Sequence, residues 1–597
     1  MKKLLGTSIW ILLLAGLAFG QLASNTSLVG NVTDPSGALV GGANMVAVNQ
    51  GTQETYTTTT NAEGFYEFQF VKAGTYTITA QQSGFETLAK TGVAVSANQT
   101  VRTDFVLKVG EVSAKVEVTA DIAPIKTDEA VMNELISTKT TAELPLNGRD
   151  AMRLAITTPG VLNGFKTTGN PGGGQGFIGA GTREIQNSIS LDGVSIMTNL
   201  ITQTTLRPSV DAIQEVQVQT GTYPAQYGGY LGVQINMVTK SGTNDFHGSV
   251  FEFLRNDKLD AKNFFTRAGA NKAPLRQNQF GVNASGPVWI PKVYDGKNKT
   301  FFMFGWESLR LSSAAPGIDS VLTPKMRQGD LSELTTVSIV DPLAPGRPAF
   351  PGNIIPTNRI ASQALKILQY MPQANGTGVL NNFNANVPNN NNTDQYTFRI
   401  DQSIGEPNRL FFRYSYSDTA LLNGNTNPYN GYNQPVGDRN FVFGYTRVLS
   451  GSAVNDFRFG RHRSTIDSLN FFTNGEFPAD AGTQLGIPGF TTDEANPGLP
   501  VISIANYMAI GGQNMASTNW FQNDTTWQIS DIFSFTKGAH NLAAGFDSRK
   551  VITNRTANNA PRGQFSFNGQ LSNHPVADFL LGLIQRSLVR RPVRTHQ

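Results

Sequence analysis

The chain contains no cysteine at all. That absence excludes a disulfide framework, a thiolate metal site and a lipid-modified cysteine anchor within this sequence. Charge is also scarce, at 15% of residues, against roughly 25% in ordinary soluble domains. With 47 basic and 43 acidic residues the net charge is only +4, which carries no nucleic-acid signature. Five histidines (His247, His462, His540, His574, His596) are too few and too scattered for a zinc peptidase: none has a glutamate three residues on. Beyond residue 20 no run of ~18 apolar residues occurs, so no helix is predicted to span a membrane. What is abundant is glycine (60), phenylalanine (37) and Asn/Gly turn chemistry. Low charge, many aromatics and many turns point to a mainly all-β chain, and to a membrane barrel in particular. At 597 residues several domains are expected.

The N-terminus reads as an export address over residues 1–20. Lys2 and Lys3 precede an apolar stretch, Leu4–Phe19, with small residues at Ala18-Phe19-Gly20. The other reading is an uncleaved anchor, but the following Gln21–Ser27 has no stop-transfer charge cluster. An exported chain without a spanning helix can insert only as a closed barrel.

Residues 27–108 show short alternating strands between turn signals at Asp34-Pro35-Ser36-Gly37, Gly41-Gly42, Asn61–Gly64 and Lys72–Gly74. Their spacing predicts a small β-sandwich, with Phe65, Phe68, Phe70, Tyr76, Ile78 and Val93 as its core. The segment resembles the carboxypeptidase regulatory-like domain, a transthyretin-like sandwich. Its name imports no peptidase chemistry. A linker follows over 109–127. Within it Glu111–Ala120 reads EVSAKVEVTA, and Pro124 stops the pattern.

Residues 128–241 carry Leu144–Arg149 (LPLNGR) after a helix start near Thr140, then Thr158-Pro159-Gly160-Val161, Ser188–Val194 (SISLDGV), Ile213–Gln219 (IQEVQVQ) and Tyr223–Gly228. Gly174–Gly179 satisfies G-x-G-x-x-G. It lacks the strand before and the helix after that a dinucleotide site needs, and no Gly-Lys-Ser/Thr follows. No cofactor, metal site or catalytic constellation is expected, and the chain is read as a non-enzyme. Glycines here are read as permitting close backbone approach and unusual φ.

From Lys240 the pattern becomes strands of about ten residues with aromatics on one face and Arg, Asp and Ser on the other. Phe302/Phe304/Trp306, Tyr396/Phe398/Ile400, Leu410/Phe412/Tyr414/Tyr416, Phe457/Phe459 and Leu542/Ala544/Phe546 mark the apolar face. In Leu410–Tyr416 the alternation assigns Leu410, Phe412, Tyr414 and Tyr416 to lipid. Arg413 and Ser415 go to the lumen, and Phe411 lies on the polar side. Ser415→Arg is then expected to be better tolerated than Phe412→Arg. Ser312–Asn392 and the Asn-rich Asn381–Asn392 read as loops.

The junction Val238–Phe265 (VTKSGTNDFHGSVFEFLRNDKLDAKNFF), together with the motifs of 128–241 in their order, resembles TonB-dependent outer-membrane receptors of the Oar-like subgroup. Gln226 departs from the glutamate usual before Tyr-Gly. The resemblance implies an α+β plug at 128–241 and a partial antiparallel transmembrane β-barrel at 242–597. It also implies residence in the outer membrane and import of an unknown substrate. The implied partners are a periplasmic TonB-type energy-coupling protein, outer-membrane lipid and an unidentified ligand, carbohydrate or peptide, with no nucleic acid. Lys115, Val116, Glu117, Val118, Thr119 and Ala120 form the candidate TonB box. The same residues also read as a last sandwich strand or a first plug strand. About ten strand candidates fall short of the 22 with which such transporters close. The basic end Leu588–Gln597 lacks a terminal aromatic strand. The expectation is therefore an incomplete barrel, from a truncated chain or one completed by other chains. The rival reading is a surface adhesin or carbohydrate-binding outer-membrane protein; a conduit for an exported protein is more remote.

Overall fold

The computed structural model describes residues 26–588, apart from 98, 111–114, 120–132, 138–147, 165–175, 180, 201, 222, 224–225, 263, 265–271, 472–479, 488–497, 512–518, 538–539 and 558–561. The export segment, the helix start near Thr140, most of Leu144–Arg149, the core of the glycine-rich run, Ala120 and the tail beyond Leu588 lie outside the described residues.

The first unit is a sandwich of two sheets. One contains β1 (Ser27–Thr33), β4 (Phe65–Gln69), β7 (Thr100–Arg102) and β8 (Phe105–Val106). The other runs β3 (Thr55–Thr59), β2 (Asn44–Asn49), β5 (Gly74–Gln81), β6 (Thr87–Val95), β9 (Lys115–Thr119). Strand side chains alternate between faces, and that decides the core. Tyr66 and Phe68 are buried with Tyr76, Ile78 and Val93, while Phe65 lies on the half-buried face with Glu67 and Gln69. The expectation that Phe65 is core is corrected: Tyr66 takes that place. Phe70 is buried, but outside the sandwich. It has φ +54 just past the end of β4, and it packs on Val454 and Ile532 of the wall.

The second unit, where a plug is expected, is built on a five-stranded sheet in the order β10 (Asn133–Ser137), β15 (Ile213–Gln219), β16 (Gln234–Thr239), β13 (Ser188–Leu191), β14 (Val194–Ser195). A small ladder joins β11 (Val161–Asn163) to β12 (Phe177–Gly179). Its helical segments among the described residues are short 3-10 turns, the longest at Ala151–Thr157, capped by Asp150. The buried Val216, Val218, Ile235 and Ile189 form its own core.

The wall is a nine-stranded antiparallel sheet: β17 (His247–Asn256), β18 (Leu275–Pro287), β21 (Thr300–Asp319), β22 (Phe383–Ile404), β23 (Asn408–Asn423), β24 (Tyr432–Ser450), β25 (Ala453–Asn470), β27 (Trp520–Lys537) and β28 (His540–Ala557). A two-strand ribbon, β19 (Trp289–Ile290) with β20 (Tyr294–Asp295), lies between β18 and β21. Alternation holds through the set. Phe412 and Tyr414 are exposed outward, while Arg409, Arg413, Ser415 and Ser417 are buried inward. Outward rings meet across strands: Phe412–Phe441 at 6.5 Å, Phe441–Phe459 at 5.8 Å and Phe459–Trp527 at 5.8 Å. Phe411, on the inner face, stacks under the Arg399 guanidinium at 4.7 Å.

Two expectations about this region are corrected. Most of the wall strands run to 16–22 residues, longer than the ~9–11 that cross a bilayer. The Asn-rich segment is mostly strand, since Asn389–Asn392 pair with β21 on one side and β23 on the other. Strand needs backbone partners, and beyond the lipid both faces tolerate polar side chains. Asn there costs nothing that the two flanking ladders do not offset.

Strand ends are unequal. At one end connections are short: Gly405–Pro407 between β22 and β23, and Gly451-Ser452 between β24 and β25. At the other, residues 320–382 and 471–519 intervene, and their described parts fold together with the described part of the segment after β28. Among the described residues their joint core is the largest apolar cluster. It includes Val321, Met326, Ile502, Ile504, Phe565, Phe567 and Phe579. The strands β26 (Val501–Ile504), β29 (Gln564–Phe567) and β30 (Arg586–Leu588) form a sheet within it.

Candidate functional site

The plug touches the wall through a hairpin tip. β13 and β14 are joined by the two residues Asp192-Gly193, with φ +50 and +84. Positive φ at both positions is the I′ turn that suits a tight hairpin, and Asp-Gly is a preferred pair for it. A Cβ at Gly193 would also crowd the Arg458 guanidinium, which would have to shift.

This tip delivers a carboxylate to the wall. Arg413 Nε donates to Asp192 Oδ2 at 2.9 Å and Arg399 Nη1 to Oδ1 at 3.3 Å. The plug's own Thr239 supplies its N–H and hydroxyl, each at 2.9 Å. Arg413 also reaches the Leu191 carbonyl at 3.0 Å, and Arg458 the Asp192 carbonyl at 3.2 Å. Behind them Asp401 holds Arg399 through two 2.9 Å bonds, and Asp456 holds Arg458 at 3.0 Å. Three arginines thus face three aspartates, all buried. Burial opposes ionisation of Asp192, but Arg399 and Arg413 outweigh it and keep the carboxyl below its usual range.

Around this centre the contacts are polar. The Gln528 amide accepts from Ser195 N–H at 3.0 Å and donates to the Gly193 carbonyl at 3.2 Å, so it holds the β14 backbone at two points. Thr205 donates to Asp438 at 2.8 Å, Ser209 to Glu307 at 2.6 Å, and the Asn199 N–H to Asp524 at 3.2 Å. Such an interface is selective in geometry. Each bond can be exchanged for one to water, so its net worth per contact is modest while the plug stays hydrated.

A second junction lies at the short-turn end, where the sandwich meets the wall. Glu54 pairs with Arg409 and with Lys72 at 3.3 Å, and Lys72 lies 4.0 Å from Asp401. Arg409 stacks on Tyr56 at 4.0 Å. Burial again opposes ionisation of Glu54, yet Lys72 and Arg409 hold its carboxyl below the usual value. Thr58 Oγ1 donates to the Gly451 carbonyl at 3.1 Å, and Thr536 to Glu67 at 2.8 Å. The plug joins this junction through Glu215, which accepts from the Ala97 N–H of the sandwich. Burial pushes the Glu215 carboxyl up to about 7. Between sandwich, plug and wall lies a cavity of about 490 Å³, lined by Lys72, Thr239, Ser241, Arg399, Asp401 and Arg458 among others.

Of the candidate TonB box, Lys115–Thr119 form β9 and pair in parallel with Thr87–Thr91 at the edge of the sandwich; Ala120 is outside the described residues. Alternation along the chain reads the wall arginines only as members of a polar face, and Asp192 only as part of a motif. The signal available is the run of charged residues at inward positions: Arg399, Asp401, Arg413, Asp456 and Arg458. Charges there require partners, and the partner is on the plug.

Residues 27–108 match the carboxypeptidase regulatory-like domain. Among curated proteins the chain is 26% identical over 306 residues to the TonB-dependent transporter Oar of Myxococcus xanthus, covering 48% of this chain and 27% of that protein. It is 36% identical over 95 residues to the probable TonB-dependent siderophore receptor PirA of Acinetobacter baumannii, covering 15% and 11% respectively. The chain thus spans well under half the length of these relatives. Among solved structures, the outer membrane transporter YddB from Escherichia coli aligns with a TM-score of 0.45 at 10% identity, over 73% of this chain and 50% of that one. Residues 238–597 match the family described as the outer membrane beta barrel domain. That range is more than half of the chain, so the protein belongs to this family and resides in the outer membrane.

Proposed function

We propose that the chain is the plugged pore of a TonB-dependent importer. The observation that carries this reading is the Asp192 hairpin. A separately folded plug presents one carboxylate to two inward wall arginines, Arg399 and Arg413, while a third, Arg458, holds the backbone carbonyl of the same residue. In barrels of this membrane short turns face the periplasm and long loops face outward. Cargo would therefore meet the long-loop cap and plug first, and leave past the sandwich. The cargo itself is unidentified.

Asp192→Ala would leave Arg399 and Arg413 buried without their carboxylate, a loss of ~3–5 kcal/mol for a broken buried pair. Cells carrying it are expected to become sensitive to vancomycin, an antibiotic too bulky for ordinary porins, while the wall still shows heat-modifiable migration. Unchanged sensitivity would reject a sealed pore.

Energy would enter through Lys115–Thr119. Released from β6, this strand offers free backbone groups for strand addition to a coupling protein. Val118→Pro removes one backbone donor. Outer membranes carrying it are expected to lose capture of the purified periplasmic domain of the host's TonB-type protein. Retained capture would move the coupling segment elsewhere.

A further inference from the structure

The sandwich is placed where an importer's cargo would have to emerge. It lines one side of the cavity behind the plug, and its contacts there differ in kind from those of a permanent domain interface. One small apolar contact, Phe70 on Val454 and Ile532, is surrounded by ionic and hydrogen-bonded pairs. The ionic pairs converge on one residue. Glu54 is contributed by the sandwich, and its partners Lys72 and Arg409 come from the sandwich and the wall respectively. Asp401, which holds Arg399 of the plug-locking cluster, lies 4.0 Å from the same Lys72. The wall therefore shares one carboxylate between the lock on the plug and the catch on the sandwich.

We infer that the sandwich is a second, releasable closure of the pore, held over its periplasmic exit by the Glu54–Lys72–Arg409 catch. It rests on reading the wall as a transport pore, but its test needs neither cargo nor coupling protein. A folded domain seated across the short-turn end obstructs entry from that side for anything larger than the chamber's own contents. Passage then requires two events, movement of the plug and displacement of the sandwich. Loss of Glu54 leaves the buried Arg409 and the half-buried Lys72 without the carboxylate they share, so the two cations repel and favour separation of sandwich from wall.

The absence of native cysteine makes a thiol test direct. Ser241→Cys places a single reporter on the chamber lining. In outer-membrane fragments open on the periplasmic face, N-ethylmaleimide is expected to label it. A polyethylene-glycol maleimide larger than the chamber is expected to label it slowly. Adding Glu54→Gln, or Arg409→Gln from the wall side, should speed the large reagent at least about tenfold and leave the small one unchanged. Equal rates for the large reagent with and without both catch variants overturn the inference. Failure of the small reagent overturns it as well, because the chamber would then not be open to solvent. A lock provides the converse. An ideal Cβ at Gly451 lies 3.8 Å from Thr58 Cα, within reach of a disulfide. Oxidised Thr58→Cys/Gly451→Cys should abolish labelling by the large reagent even with Glu54→Gln; labelling that persists means the exit is elsewhere. These results stand whether or not Asp192→Ala opens a pore, so failure here and failure of the importer reading are told apart.

Discussion

The two ends of the wall are covered in opposite ways. At the long-loop end three separate stretches of chain share one apolar core, with Phe579, Ile502 and Val321 almost wholly buried. At the short-turn end a complete domain with its own core sits on the strand turns through ions and hydrogen bonds. The cap has no core until its pieces meet, so separating them exposes apolar surface and costs heavily. The sandwich keeps its core whether docked or not. Polar interfaces between domains of this kind are those that open. The two ends of the wall thus differ in kind: one cover shares a single apolar core, the other is a separate domain held by polar contacts.

The comparison can be broken most severely at the cap. Phe579→Ala is expected to cost ~3–5 kcal/mol, as for a large ring removed from a packed core. Protease digestion of intact cells should then cut the cap first and leave the sandwich docked. Loss of sandwich docking in that variant would show that the two ends are not independent.

A smaller effect is expected at the lipid face between them. Phe412→Arg should reduce assembly by ~2–4 kcal/mol near the bilayer midplane, with Phe412→Leu close to wild type, measured as the folded fraction in outer membranes. The structure removes Ser415→Arg as a benign control. Ser415 is buried beside Thr397 and Arg413 and faces the plug. A fourth guanidinium would unbalance the Asp192 cluster, so both faces are intolerant, for different reasons.

The smallest effect is a pH dependence of docking. Glu215 is buried at the sandwich contact, and the groups acting on it there are the Ala97 N–H and the Ser96 side chain. Its carboxyl, ordinarily near 4.5, stands at about 7 when docked. The docked state therefore holds the proton more tightly, and docking weakens as pH rises from 4.5 to about 7, then levels. Glu54 is shifted the other way: its contribution is present above the ordinary carboxylate value and is lost as pH falls below it. The large-maleimide labelling rate of the Ser241→Cys thiol, divided by the N-ethylmaleimide rate at the same pH to remove the thiol's own ionisation, should rise across the upper window, and Glu215→Gln should flatten that rise. A flat profile with Glu215 intact would separate it from the sandwich contact.

Much of this architecture was legible along the chain because strand alternation is local. The period of two in Leu410–Tyr416 assigned each side chain to a face, and the structure keeps that assignment, with Phe411 against Arg399. Asp192-Gly193 reads along the chain only as part of the Ser188–Val194 motif, and the structure shows it to be a tight turn with two positive φ angles. Where local signals were equivocal the reading slipped. Phe65 and Tyr66 are adjacent aromatics, and only the sheet's orientation decides which one is inside. The Asn-rich segment has loop composition, yet it is strand because β21 and β23 supply partners on both sides.

By itself, then, the sequence determined the all-β character, the aromatic outer face and the inward row of charges, since each depends on residues a few positions apart. Only the tertiary structure decided that Asp192 meets Arg399 and Arg413 across more than two hundred residues. It likewise brought three loops into one cap and set Glu54 of the first domain against Arg409 of the wall. Those pairings depend on which surfaces can satisfy one another's buried charge and apolar area, and no spacing along the chain encodes that choice.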